Sequence, residues 1–265
     1  MKPVEIADFV DSLASAAGAA ILPFFRTSIH AVDKSEGGVF DPVTEADRGA
    51  ETVMRRMIKD AFPAHGIVGE EFGAERPDAE YVWILDPIDG TKSFISGLPV
   101  WGTLIGLSHN GAPTYGMMHQ PFTREMFSGD CEAARWRGPG ADGKQASRKL
   151  KTRPCGSVGA ATLMTTHPAL LAEGTREPFE RVEQGVRLSR YGGDCYAYCM
   201  LAAGHVDLVI ESGLKPYDIV GLIPVVEGAG GIITNWKGES AASGGAIIAA
   251  GDRKVHAEAL ELLNR

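Results

Sequence analysis

The chain has 265 residues, a mass of 28.2 kDa and a formal charge of −8, with 44% hydrophobic and 23% charged residues. That composition excludes intrinsic disorder and a fibrous repeat. The acidic balance, with a pI near 5.4, argues against nucleic-acid binding, which needs a basic face. At this length folding buries about 73% of the chain's surface, enough for a core without disulfide staples.

Residues 4 to 26 are predicted as an amphipathic helix, with Val4, Phe9, Leu13, Ala16, Ala17, Ala20 and Phe24 at helical spacing. Glu5 and Asp8 lie where a signal peptide would be positive and then apolar. The apolar runs read as shorter than the ~18 residues of a membrane span. Gly37 and Gly38 mark a loop, and Thr44 with Asp47 reads as a capping box opening a helix to Phe62, stopped by Pro63. Short strands are predicted at Ile67 and Val68, then at Tyr81 to Leu85. Two or three more follow between Trp101 and Ser128, with a hairpin turn at Asn110-Gly111.

The stretch 131 to 158 is rich in Gly, Lys, Arg and Pro and reads as an exposed loop. Beyond it strands and helices alternate: strands at Ala161 to Thr166, Val206 to Ile210, Gly231 to Thr234 and Ala246 to Ala249. Helices are predicted at Arg176 to Gln184, Asp194 to Ala203, Tyr217 to Glu227 and Arg253 to Leu263. The pattern predicts a layered α/β (α+β) protein with mixed sheets. It reads as one compact unit of two halves, an N-terminal α+β half over 1–135 and a C-terminal α/β half over 136–265. The four cysteines form no CxxC pair, so buried free thiols and a cytoplasmic location are expected.

The chemistry lies in four acidic segments: Asp41-Pro-Val-Thr-Glu-Ala-Asp47, Gly69-Glu70-Glu71, Asp86-Pro-Ile-Asp89-Gly-Thr91 and Pro216-Tyr-Asp218. Each alone has a plainer reading. The third is a common turn sequence, Asp47 and Asp218 suit helix starts, and Glu70 and Glu71 suit solvent. Together they place Asp47, Glu70, Asp86, Asp89 and Asp218 where they can meet. Each like pair at 4 Å costs about 4 kcal/mol at an effective dielectric near 20. Hard divalent cations relieve that cost, and octahedral Mg²⁺ fits an all-oxygen set, with Mn²⁺ as a substitute. Three Mg²⁺ come to within about one charge of balance when a phosphate dianion of about −2 joins the five carboxylates, while two leave about −3. This favours a metal-dependent phosphatase over a metal store.

These segments, in this order, resemble the inositol monophosphatase family of Mg²⁺-dependent phosphatases. The resemblance extends to Glu227-Gly-Ala-Gly-Gly231 and covers nearly the whole chain. It implies a layered αβαβα sandwich, a small phosphate ester as substrate and a homodimer, while the acidic charge and the short apolar runs lead to the expectation of no nucleic acid or membrane partner. By resemblance the metal ligands are Glu70, Asp86, the carbonyl of Ile88, Asp89 and Asp218. Thr91 with Asp47, beside Glu70, would activate the attacking water, and the N–H groups of Gly90 and Thr91 would cradle the phosphate. Two departures, Tyr217 for a family Trp and Gly221 for a family Ala, remove no ligand.

The stretches Asp89–Gly97, Arg190–Tyr198 and His205–Asp218 resemble the histidinol-phosphate phosphatase branch. Such a substrate carries an ammonium group, which carboxylates can pair. Asp194 and Glu211 are the candidates, although Asp194 also suits a plain helix N-cap. Arg190, Lys92 and Ser93 are candidate phosphate or loop contacts. The expected reaction is hydrolysis of L-histidinol phosphate in histidine biosynthesis. Inositol 1-phosphate hydrolysis, a broader sugar or nucleotide phosphatase, and a non-catalytic metal- and phosphate-binding module remain as alternatives.

Overall fold

The structure, a computed structural model, describes residues 3–27, 32–33, 42–43 and 45–265. Thr44, Asp41, Gly37 and Gly38 lie outside the described residues. The helices are α1 Pro3–Ile21, α2 Glu45–Ala61, α3 Thr91–Ile95, α4 Arg176–Glu183, α5 Asp194–Ala202, α6 Pro216–Ile219, α7 Ile223–Gly228 and α8 Arg253–Leu263. The first strands, β1 Val32–Asp33 and β2 Pro42–Val43, form a small antiparallel pair. Then come β3 Gly66–Gly69, β4 Gly73–Glu75, β5 Tyr81–Asp89, β6 Gly102–His109, β7 Ala112–Gln120, β8 Glu125–Gly129, β9 Ala134–Pro139 and β10 Gln145–Lys149. The last five are β11 Thr162–Thr165, β12 Leu188–Tyr191, β13 Leu208–Leu214, β14 Ile232–Asn235 and β15 Gly245–Ala250.

Strands β3 to β10 form an eight-stranded sheet ordered β10-β9-β8-β7-β6-β5-β3-β4, antiparallel except where β3 runs parallel to β5. Strands β11 to β15 form a five-stranded sheet ordered β12-β11-β13-β15-β14, parallel through β12, β11 and β13 and antiparallel beyond. Helices α1 and α2 cover the outer face of the first sheet, and α5 to α7 fill the space between the sheets. Helices α4 and α8 close the far side, giving five layers, αβαβα. Three apolar clusters fill the gaps. One is centred on Leu13, Met54 and Trp83, one on Phe127, Cys199 and Val225, and one on Phe179, Ile248 and Val255. Full burial of side chains of this size stabilises by about 1.5–3 kcal/mol each.

Several local expectations are corrected. The stretch Ile6–Phe24 is long and apolar enough to cross a membrane by composition. Its face of Val10, Leu13, Ala14, Ala17 and Ile21 is instead fully buried against the sheet and α2. The expected loop at 131–158 contains the β9–β10 hairpin. Its signal was the alternation Ala134, Arg135, Trp136, Arg137, which buries Ala134 and Trp136 and exposes Arg135. Residues 135 and 136 thus lie inside a strand, and the first sheet runs on to Lys149. The predicted helix 217–227 breaks into α6 and α7 because the chain there lies directly on the first sheet. A Cβ on Gly116 would come 2.1 Å from the Gly221 carbonyl oxygen, and Pro224 opens the second segment. At the predicted hairpin, Asn110 and Gly111 take φ of 50° and 80°, the pair of positive angles a two-residue type I′ turn demands.

Candidate active site

Strand β5 supplies the centre. Its buried apolar residues Val82 to Leu85 are pinned between β3 and β6, and they deliver Asp86 to the strand's end almost fully buried. The sequence reading ended the strand at Leu85. It continues to Asp89, with a bulge between Asp86 and Asp89 that Pro87 fits because it has no N–H to lose. Inside the bulge the Ile88 N–H donates to Asp86 Oδ1 at 3.0 Å, and the Thr103 hydroxyl donates to the Pro87 carbonyl at 2.8 Å. The Ile88 side chain is buried while its carbonyl accepts the Thr91 hydroxyl at 3.1 Å. Gly90, at φ 82° and ψ 40°, turns the chain into α3. That helix has five residues, so its dipole adds less to an anion site than a longer helix would.

One carboxylate oxygen from each of Asp86, Asp89 and Asp218 lies within 4.8 Å of the other two. Asp218 comes from α6, where it also accepts the Lys215 N–H at 2.6 Å. Burial holds the Asp86 carboxyl well above the ordinary range, helped by the charges of Glu70, Asp89, Asp218 and Asp47. Burial raises Asp89 likewise, with Asp194 and Asp218 adding to it and the hydrogen bond from Cys195 opposing. Carboxyls crowded this way are strained as anions. The set fits a hard divalent cation, since its donors are all oxygen and a cation would cancel the repulsion. The buried Tyr198 hydroxyl has no hydrogen-bond partner among the described residues; burial pushes its pKa well up, and the charges of Glu211, Asp89 and Asp218 add to it.

A cavity of about 880 Å³ opens over these groups. Of the predicted residues, Glu70, Asp86, Ile88, Asp89, Gly90, Thr91, Lys92, Ser93, Asp194, Glu211 and Asp218 line it. Asp47 is buried on α2 outside the lining, and its charge reaches Asp86. Arg190 is not in the lining; it sits exposed on β12, the edge strand of the second sheet. Asp194 is not the helix cap: Gly193 takes that position, and no side chain caps α5. Instead Asp194 holds a left-handed φ of 42°, which for a non-glycine residue costs on the order of 1 kcal/mol. Its carboxylate turns across the seam and accepts the Ser93 hydroxyl at 2.6 Å. A Cβ on Gly90 would sit 3.0 Å from the Asp194 side chain. Glu211 accepts both the N–H and the hydroxyl of Thr166, at 2.7 and 2.9 Å, and burial lifts its carboxyl to about 7.

Thr166, His167, Leu170, Ser212, Lys215 and Tyr217 also line the cavity. Apart from Tyr217 the sequence reading did not single them out: Thr166, His167 and Leu170 follow β11, Ser212 lies within β13 and Lys215 just after it, and none is a residue type that marks chemistry by itself. The only available cue was position, since ligands gather beyond the C-terminal ends of parallel strands such as β11.

A profile of the inositol monophosphatase family matches residues 2–265. The chain belongs to the inositol monophosphatase family. Enzymes of this family are metal-dependent phosphatases acting on small phosphate esters. A chloroplastic bifunctional phosphatase of Arabidopsis thaliana, IMPL2, is 45% identical over 265 residues, 96% of this chain and 73% of the relative. A histidinol-phosphatase of Mycobacterium tuberculosis is 35% identical, covering 84% of this chain and 85% of its own. Among solved structures, an inositol monophosphatase from Zymomonas mobilis superposes with a TM-score of 0.85 at 38% identity, with 100% of both chains covered. The inositol monophosphatase fold of this chain is therefore the αβαβα sandwich described above.

Proposed function

We propose that the protein is a Mg²⁺-dependent histidinol-phosphate phosphatase, releasing phosphate from L-histidinol phosphate. Asp194 carries the reading. A short carboxylate held in a left-handed conformation over the floor of the cavity puts a negative charge where a cationic substrate's ammonium can pair with it. Glu211 lines the same cavity and adds a second acceptor. The relatives named histidinol-phosphatase, at 33% and 35% identity, support it. A second reading, inositol phosphate hydrolysis, is favoured by the solved structures titled inositol monophosphatase.

In this mechanism Glu70, Asp86, Asp89, Asp218 and the Ile88 carbonyl hold the cations. Bound there, divalent ions supply Lewis-acid polarisation and charge neutralisation for an in-line displacement at phosphorus. The chain's own groups do the positioning. Gly90 and Thr91, at the start of α3, would offer their backbone N–H groups to the phosphoryl oxygens. The Thr91 hydroxyl donates a hydrogen bond to the Ile88 carbonyl, so its oxygen is left to accept a hydrogen bond from the attacking water; Glu70, in the lining, takes that water's proton, and the departing alkoxide oxygen is protonated from solvent. Asp47 keeps negative charge behind that pair, and Lys92 and Ser93 flank the phosphate. The alcohol product leaves from the side of the cavity formed by Asp194 and Glu211.

The test is a panel of esters with purified protein and Mg²⁺: histidinol phosphate, inositol 1-phosphate, fructose 1,6-bisphosphate and adenosine 3′,5′-bisphosphate. The reading requires the highest kcat/KM on histidinol phosphate. A clear preference for inositol 1-phosphate overturns the substrate and leaves the phosphatase chemistry standing.

A further inference from the structure

Helix α2 buries two acids and a base. Asp47, Glu51 and Arg55 are 2%, 0% and 9% exposed, and their spacing of four residues sets them in one stripe. Glu51 lies one turn beyond Asp47 and is the more deeply buried of the two. A buried carboxylate is tolerated only when paired and hydrogen-bonded, and Glu51 is both. Its Oε2 accepts the Glu71 N–H at 2.8 Å and its Oε1 accepts the Phe72 N–H at 3.2 Å. Arg55 donates from Nε to Oε1 at 2.7 Å, and its terminal nitrogen donates to the Gly73 carbonyl.

Those partners form the turn between β3 and β4, and the turn carries Glu70. The Glu70 N–H donates to the Leu85 carbonyl at 3.2 Å, one residue before Asp86. The peptide before Glu70 is thus tied to the strand that bears Asp86. The two peptide N–H groups after it are tied to the helix that bears Asp47. Gly69 allows the approach: a Cβ there would lie 2.1 Å from Glu51 Oε1.

We propose that Glu51, braced by Arg55, is a positioning residue that sets the Glu70 side chain against Asp86 for divalent-cation binding. The inference rests on Glu70 being a cation ligand in the proposed function. Groups that orient metal ligands cost 10–100-fold in metal affinity when changed. Glu51→Gln keeps the side chain's shape, but it removes the charge facing Arg55 and turns an NH₂ toward N–H donors that want an acceptor.

The experiment titrates full-length protein with Mn²⁺, without substrate, and follows free Mn²⁺ by electron paramagnetic resonance. Circular dichroism melts confirm that each variant is folded at the titration temperature. Glu70→Gln serves as the reference. The expected result is a Kd for Glu51→Gln raised about 10- to 100-fold, together with a kcat that recovers most of its value at high metal. A global stability defect alone would leave the Kd of the folded fraction unchanged. Parent-like Mn²⁺ affinity in Glu51→Gln, with Glu70→Gln weakened, overturns the proposal while Glu70 keeps its role. Parent-like affinity in Glu70→Gln overturns the ligand assignment and the proposal with it. If Glu51→Gln does not fold, Gly69→Ala is measured instead, since it pushes the same turn away from Glu51. Weakened Mn²⁺ binding there supports the proposal and unchanged binding overturns it.

Discussion

Asp89 Oδ2 accepts the backbone N–H of Cys195 at 2.7 Å, across 106 residues of sequence. Beside it, the Ser93 hydroxyl donates to Asp194 at 2.6 Å, across 101 residues. The end of β5 and the start of α3 are thereby joined to the first turn of α5, and through α5 to the second sheet. An anionic side chain at a helix N-terminus is favoured by the unsatisfied N–H groups there. The bond therefore offsets part of the repulsion among the site's carboxylates. It also makes the geometry of Asp89 depend on how the two sheets are packed.

Asp89→Asn removes one charge from the cluster of Asp86, Asp89 and Asp218 and leaves the amide facing an N–H donor. Metal affinity and turnover are expected to fall together, by at least about 100-fold in kcat/KM, since even groups that only orient metal ligands cost 10–100-fold. Isothermal titration with Mn²⁺ and a phosphate-release assay check the two effects. Unchanged metal affinity would remove Asp89 from the ligand set.

Thr91→Ala deletes the hydroxyl that donates to the Ile88 carbonyl and keeps every carboxylate. The expected outcome is a fall in kcat of about 10²-fold, the order for losing the positioning of a reacting group, with Mn²⁺ affinity little changed. Full activity in this variant would mean that the attacking water is oriented by some other group.

Asp194→Ala separates the two substrate readings. A hydrogen bond to a charged group is worth about 1.5–3 kcal/mol, or about 10- to 150-fold at 1.4 kcal/mol per decade. That loss should fall on KM for histidinol phosphate and should spare an ester with no cationic group, such as inositol 1-phosphate. Equal losses on both esters would show that Asp194 serves the fold through Ser93 and not the substrate. Alanine also resists the left-handed conformation at this position, so Asp194→Asn, which tolerates that conformation and keeps the size, is the companion variant.

What was legible in the sequence followed from local constraint. Tyr81 to Leu85 declared a strand through an unbroken apolar run, and the Asp-Pro-Ile-Asp-Gly-Thr stretch after it, a common turn sequence by itself, declared a site only together with the other acidic segments and the family resemblance. Asp218 was readable as a ligand only through the family resemblance, since Pro216-Tyr-Asp218 by itself suits a plain helix start. The β9–β10 hairpin was hidden because its outer strand β10, at the sheet's edge, is nearly all exposed and polar, with Gln145, Ser147, Arg148 and Lys149. The break between α6 and α7 was hidden for another reason. It is imposed by the close approach of Gly221 to Gly116 on the sheet, a tertiary contact that leaves no periodicity. Glu51 was passed over because its partners, the N–H groups of Glu71 and Phe72, are backbone atoms. The Asp194 conformation was likewise invisible, since a cap and a left-handed first residue look alike in one dimension.

His119 gives the fold a pH dependence separate from the site. Its Nδ1 lies 3.0 Å from the Ala14 carbonyl, which can only accept, so Nδ1 carries the proton and the buried ring is neutral. A Cβ on Gly18 would fall 2.9 Å from the ring, which leaves no room for water. Burial lowers the ring's pKa from 6.5 to about 4. The unfolded chain therefore binds a proton that the folded chain refuses between those two values. Stability is fully present above about pH 6.5 and declines as pH falls to about 4, by up to about 3 kcal/mol in total. Urea unfolding at pH 7 and pH 4.5 reads this directly. His119→Gln, which can keep a donor to Ala14 but does not titrate, should be less stable at pH 7 and should flatten the slope by up to about 1.4 kcal/mol per pH unit. A variant with the parent's slope would place the acid sensitivity elsewhere, with the carboxylates of the site the first groups to test.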